Sequence, residues 1–216
     1  MRIPKQVTSL RRPRQKPSGV PHRPRPAHNR RRPLHVTLRR ADLLPSMREE
    51  ALFLALRRAF SRAQRAWFRV VQFSVQSNHV HMMVEARDKN SLARGITGLT
   101  VRMARAFNQA LQRRGSVWEG RYHSRALSTP REVRNVLVYV LMNRRKHGAP
   151  TRGDENGGLD PCSSARWFDG WVHPPSCRPL HAEVPPVVPP ETWLAATGWK
   201  RHGLMGLHES PRMKHA

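Results

Sequence analysis

The sequence has little cysteine and no long apolar run, and each shortage excludes a class of protein. Its two cysteines, Cys162 and Cys177, are too few for a disulfide framework, so we expect a reducing, cytoplasmic environment. Nowhere do about 18 apolar residues follow one another, so we predict no membrane-spanning helix. The basic N-terminus lacks the apolar stretch of a secretory signal, and we therefore expect no export.

Acidic residues are also scarce. The chain has 40 Lys and Arg against 14 Asp and Glu, a net charge of +26, and no acid precedes Asp42. Such a charge opposes compaction unless a polyanion neutralises it, and nucleic acid is the partner it favours. An anionic membrane surface is the alternative. The long basic helix pattern, however, lacks the Trp, Phe and Leu face that insertion into a membrane surface needs, so we predict no membrane partner.

Composition divides the chain into three parts. Residues 1–32 are rich in Arg, Pro and Lys without apolar periodicity, which predicts a disordered basic arm that either tracks phosphates or only improves solubility. Residues 33–148 carry the periodic patterns of a folded domain. Residues 149–216 scatter Pro and Trp without a period. They predict an irregular extension that packs its tryptophans on the domain and forms a short helix within 191–197.

Periodicity within residues 33–148 predicts the order β-α-β-β-α-β-α. The expected strands are 34–39, 67–76, 79–85 and 121–128. The expected helices run from a Ser46–Glu49 capping box to about 65, from 90 or 91 to about 113, and from a Thr129–Glu132 capping box to about 147. This order is typical of the α+β ferredoxin-like split βαβ fold, an antiparallel sheet with helices on one face. In that topology the first and third strands are central neighbours.

His79 and His81 are two residues apart in the third predicted strand, so their side chains share a face of the sheet. Two imidazoles held by one strand form half of a metal site. A pair of exposed strand histidines is the structural alternative. In the predicted topology His35, from the first strand, emerges on the same face.

Tyr139 and Asn143 lie four residues apart on one flank of the last predicted helix. The flank position lets both side chains meet a neighbouring surface without entering the core. For Tyr139 the alternative is a boundary tyrosine with a hydrated hydroxyl group.

Four short motifs follow one another over residues 34–148. They are His35-Val36-Thr37-x-Arg39, Ser77–Glu85, Val117–Tyr122 and Tyr139-x-x-x-Asn143. As a set they resemble the REP-associated tyrosine transposases, a branch of the single-tyrosine HUH transposases with an IS200-like transposase domain. The resemblance does not extend to the N-terminal arm or to the region after 150.

The resemblance implies a ferredoxin-like enzyme that nicks and rejoins single-stranded DNA at hairpin-flanked sites, in DNA transposition or REP-element processing. His79, His81 and Asn143 would hold Mg²⁺ or Mn²⁺, and Tyr139 would form a 5′-phosphotyrosine. Many relatives have Gln where this chain has Asn143. Both monomers and homodimers are compatible with the family. We expect a nucleoid-associated protein.

Several residues are candidates to hold the DNA. They are His35, Arg39, Arg102, Arg105, Arg121, Tyr122 and Arg125. Each arginine is equally compatible with a solvated surface, and Tyr122 is the rival nucleophile, although base stacking suits it better. The sequence has no P-loop and no Asp-Asp-Glu set on obvious strands, which disfavours a two-metal nuclease. The alternative function is a non-catalytic DNA- or RNA-binding protein derived from a transposase.

Overall fold

The structure is a computed structural model that describes residues 28–143, 158–176 and 183–211. Almost all of the predicted basic arm, residues 1–32, therefore lies outside the described residues. Residues 144–147, the end of the last predicted helix, and Cys177 also lie outside the described residues.

Four strands form one antiparallel sheet in the order β2-β3-β1-β4, with three main helices. The strands are β1 (Leu34–Arg39), β2 (Phe68–Val75), β3 (His79–Ala86) and β4 (His123–Ala126). The helices are α1 (Glu50–Ala63), α2 (Lys89–Ala110), α3 (Pro130–Leu141) and a short α4 (Trp193–Ala196), with 3₁₀ turns at Ala165–Trp167 and Gly198–His202. The α+β class, the element order and the central β1–β3 pair are confirmed.

One face of the sheet is apolar and lies under α1 and α2. The strand residues on this face include Val36, Val80 and Met82, all fully buried in a cluster with both helices. Phe60 of α1 stacks on Phe73 of β2 with ring centroids 3.9 Å apart. This layer is the hydrophobic core that alternation in the strands predicts.

The other face lies under α3 and the C-terminal extension. Val71 and Met83 of the sheet form a second buried cluster with the α3 stripe and with Trp171 and Trp199. A β-bulge between Val70 and Gln72 shifts the alternation of β2, so Val71 faces this side whereas Phe73 and Val75 face α1 and α2. The predicted placement of helices on one face therefore holds for α1 and α2, whereas α3 covers the opposite face.

Some helix bounds differ from the predictions. The Ser46–Glu49 capping box is wrong: α1 begins after Glu49, with no side-chain cap, and ends at Ala63. The N-cap of α2 is Asp88, whose carboxylate accepts the Ser91 N–H at 2.7 Å. The Thr129–Glu132 capping box of α3 is confirmed, but α3 ends at Leu141.

The extension covers the free edge of β2, where unpaired backbone groups would invite aggregation. Val75 N–H donates to the Cys162 carbonyl at 2.8 Å, and Ser164 N–H donates to the Phe73 carbonyl at 2.9 Å. Arg48 anchors the segment through both oxygens of the buried Asp160, at 2.7 and 3.0 Å. This part of the extension is therefore a component of the folded domain.

Candidate active site

The predicted nucleophile and the histidine pair meet where α3 lies over the sheet. The Tyr139 hydroxyl is 3.2 Å from His81 Nε2, and the two ring centroids are 4.8 Å apart at 75°. The His79 ring is 4.6 Å from the His81 ring. The fold therefore brings the three residues together within one chain, with His81 only 5% exposed.

Two neighbours that the sequence did not single out as site residues orient the imidazoles. His79 Nδ1–H donates to Asn78 Oδ1 at 2.7 Å, and His81 Nδ1 lies 3.1 Å from Thr37 Oγ1. A proton on each Nδ1 leaves the Nε2 lone pair for another partner. Thr37 stands directly opposite His81 in the β1–β3 register, so a correct strand pairing would have identified it.

Asn143 is buried to 1% exposure beyond the C-cap of α3. Neither its amide oxygen nor its amide nitrogen has a hydrogen-bond partner among the described residues. Leaving a buried amide unpaired costs about 1–3 kcal/mol, so packing alone does not explain an asparagine at this position. The sequence placed this residue inside the last helix, one turn after Tyr139.

The donor set that the sequence predicts, His79, His81 and Asn143, is of a type that would hold a divalent cation only weakly. Two imidazole nitrogens and a neutral amide oxygen are suitable ligands for Mn²⁺ or Mg²⁺, but they supply no negative charge. In the described ranges, no group of three His, Cys, Asp or Glu side chains is arranged to hold a metal. Tight metal binding would therefore require additional oxygen ligands, such as those of a phosphate.

His35 lies beside both His81 and Tyr139. Its ring centroid is 5.4 Å from that of His81 and 5.7 Å from that of Tyr139. Burial, with a smaller contribution from the nearby charge of Arg125, lowers the pKa of His35 to about 4. The imidazole is therefore neutral at pH 7, and its buried Nε2 has no hydrogen-bond partner in the part of the chain that the structure describes.

A cavity of about 960 Å³ opens next to Tyr139 and His35. Arg125 and Arg131 line one side of it, and residues 209–211 of the extension line another. Arg134 holds residues 209–211 there by donating to both carboxylate oxygens of Glu209, at 2.8 and 3.0 Å. The sequence did not predict that residues 209–211 line the cavity, because residues 200–211 show no periodic pattern of apolar residues.

The predicted DNA contacts do not all lie near this cavity. Arg125 lines it and donates to Glu132 at 2.9 Å. Arg39 is exposed and 2.8 Å from Glu119.

Three of the other four candidates lie on the α1 and α2 side of the sheet. Arg121 is exposed just before β4, and Tyr122 packs against the core under α1 and α2. Arg102 and Arg105 line a groove between α1 and α2, on the opposite side of the sheet. Tyr122, the rival nucleophile, is thus separated from the imidazoles by the sheet.

Among the helices that the structure describes, none combines the length and apolarity needed to cross a bilayer.

The chain is similar to known proteins in both sequence and fold. A family model described as "Transposase IS200 like" matches residues 35–143, half of the chain. A solved structure described as "Structure of the REP associates tyrosine transposase bound to a REP hairpin" has a similar fold, with a TM-score of 0.52 and 16% identity. The match covers 66% of this chain and 81% of that one. Among curated protein sequences, none matches significantly.

Proposed function

Because the chain belongs to the IS200-like transposase family, we propose that it cuts and rejoins single-stranded DNA through a covalent link to Tyr139. The observation that carries this proposal is the 3.2 Å approach of the Tyr139 hydroxyl to His81 Nε2, beside an open cavity. A phenol in hydrogen-bond contact with an imidazole nitrogen has the arrangement of a nucleophile next to a base.

The step that we propose is a transesterification. Tyr139 Oη attacks phosphorus, the bond from phosphorus to the 3′ oxygen breaks, and a 5′-phosphotyrosine and a free 3′-OH result. His81 Nε2 takes the phenol proton and the departing 3′ oxygen takes a proton from water on the opposite side of the phosphorus, so protons balance. Tyrosine has an ordinary pKa near 10, so it needs such an acceptor at neutral pH. The new ester keeps the energy needed for rejoining.

A divalent cation is part of the proposal. His79, His81 and Asn143 would hold it, with His81 as a donor only when its Nε2 carries neither the phenol contact nor the phenol proton. When bound, Mg²⁺ or Mn²⁺ would polarise a non-bridging phosphate oxygen. Because His81 has a single Nε2 lone pair, that nitrogen serves either the phenol or the cation at any moment.

Hairpin-flanked single-stranded DNA is the substrate that we propose. The solved structure with the similar fold is described as bound to a REP hairpin, and the net charge of +26 favours a polyanion. Arg125 and Arg131, which line the cavity, are placed to contact the phosphates. Tyr139, His79 and His81 lie together within one chain, so we propose that cleavage does not depend on the homodimer that the family allows.

A denaturing gel tests the proposal. Wild-type protein with Mn²⁺ and a labelled hairpin oligonucleotide should give a shifted, protease-sensitive band. Tyr139→Phe should abolish that band while DNA affinity stays within a few-fold. Tyr122→Phe, which removes the chain's other tyrosine, is the matched control and should keep the band. A shift on native gels alone, with no covalent band, would instead support the non-catalytic binding protein.

A further inference from the structure

A second groove lies at the end of the sheet away from the histidines, where β3 ends and β2 begins. It has a volume of about 680 Å³, and α4 forms one wall. Its lining includes Arg30, Arg31, Arg32, Arg87, Trp67 and Trp193. Ala86 of this groove is five residues beyond His81 along β3, a separation of about 17 Å at the usual rise of a strand. The groove is therefore distinct from the active-site cavity.

Arginines outnumber carboxylates in this groove, and its two carboxylates are already engaged. Glu191 lies 2.7 Å from Arg69, and Glu85 lies 3.9 Å from the same guanidinium. Glu85 also accepts the backbone N–H groups of Glu191 and Thr192 at 2.8 and 2.9 Å. The groove's other four arginines are exposed, with no ion pair to any acidic residue that the structure describes. The surface therefore offers positive charge to an external anion.

An aromatic ring stands in the same wall. The Trp193 side chain is 50% exposed, whereas Trp171 and Trp199 of the same extension are buried. Gly198 packs against the Trp193 ring so closely that an added Cβ would come within 2.7 Å of it. Arg201 lies 4.9 Å from the ring centroid. The indole is thus held in one orientation by Gly198 and Arg201 while half of Trp193 stays exposed, which prepares the exposed part for stacking.

We propose that this groove binds single-stranded nucleic acid, with a base stacked on Trp193 and phosphates on the arginines. A fixed aromatic ring among arginines matches how proteins hold single strands without reading their sequence. An acidic peptide would use the charges but leave the indole without a planar partner. The inference rests on the proposed function only in its choice of nucleic acid as the polyanion.

Binding of a labelled dT oligonucleotide of about 12 nucleotides tests the site. All proteins carry Tyr139→Phe, so no result depends on cleavage. Trp193→Ala should weaken binding about tenfold, while Trp193→Phe, which keeps a stacking ring, should stay within about threefold. Arg30→Ser with Arg31→Ser should lower the slope of log affinity against log salt by about 1.4.

The matched control is Arg58→Ser with Arg62→Ser, which removes the same charge from exposed positions on α1, across the sheet. It should change affinity by no more than about twofold, because salt screens distant charges. The proposed site would be overturned if both double arginine variants lost the same affinity for dT, or if Trp193→Ala bound dT as tightly as the protein with Trp193. Competition by polyglutamate as strong as that by unlabelled dT would identify an acidic protein partner instead and also overturn it.

Discussion

The two faces of the sheet use the same strands in opposite ways. Towards α1 and α2, β1 and β3 present hydrocarbon side chains that are fully buried, such as Val36 and Val80. Towards α3, the same two strands present His35, His79 and His81. Burying polar groups lowers stability, so stability does not explain the histidines on the second face. We infer that they are there for function.

Within the α3 face, satisfied and unsatisfied polar groups have different roles. Buried Glu85 and Ser164 have full sets of partners and fix the extension to the sheet. The amide of Asn143 and Nε2 of His35 have no partner among the residues described. The first kind explains how the domain is held together, and the second kind is where we propose that a ligand binds.

The largest expected difference between the faces is in stability. Phe73→Ala removes a fully buried ring stacked on Phe60 and should lower the free energy of unfolding by about 4 kcal/mol. His79→Ala, on the other face, should lower it by less than about 1 kcal/mol yet abolish cleavage. Urea unfolding and the adduct gel measure the two effects. If His79→Ala destabilised the protein as much as Phe73→Ala, the contrast between the faces would fail.

The neutral state of His35 predicts a pH effect of intermediate size. Its pKa is about 4 in the folded protein against 6.5 ordinarily, so between these values the unfolded chain binds a proton that the folded chain does not. The free energy of unfolding should therefore fall as pH drops from 6.5 to 4, by about 3 kcal/mol from this residue.

His35→Phe should remove that contribution. Urea unfolding of metal-free wild type and variant across this range gives the difference, because contributions from the other histidines are common to both proteins. Parallel stability curves would show that His35 is not the buried neutral group described above.

The smallest expected change has opposite signs for stability and for metal binding. Asn143→Leu replaces an unpaired buried amide by a hydrocarbon of similar size and should raise the free energy of unfolding by about 1 kcal/mol in EDTA. It should also remove the stabilisation that Mn²⁺ gives to the wild type. Thermal unfolding with and without Mn²⁺ measures both. An Asn143→Leu protein that is less stable in EDTA would mean that the amide has a structural partner.

Strand periodicity predicted the sheet because alternation in β1 and β3 is regular and one face is apolar. It placed His35, His79 and His81 on a common face for the same reason. It could not place α3 on the face opposite α1 and α2. The bulge in β2, which leaves Val71 in contact with the α3 side, interrupts the alternation, and nothing in the sequence marks its position. Nor could it show that residues 209–211 line the cavity, since Arg134–Glu209 is a long-range pair in aperiodic sequence.

The attachment point of the DNA is the most direct test of the proposed chemistry. Protein incubated with Mn²⁺ and a hairpin oligonucleotide is digested with protease and nuclease, and the nucleotide-bearing peptide is located by mass spectrometry. We expect a 5′-phosphonucleotide on Tyr139. A nucleotide on Tyr122, or cleaved DNA with no modified tyrosine, would contradict the assignment of the α3 phenol as the nucleophile.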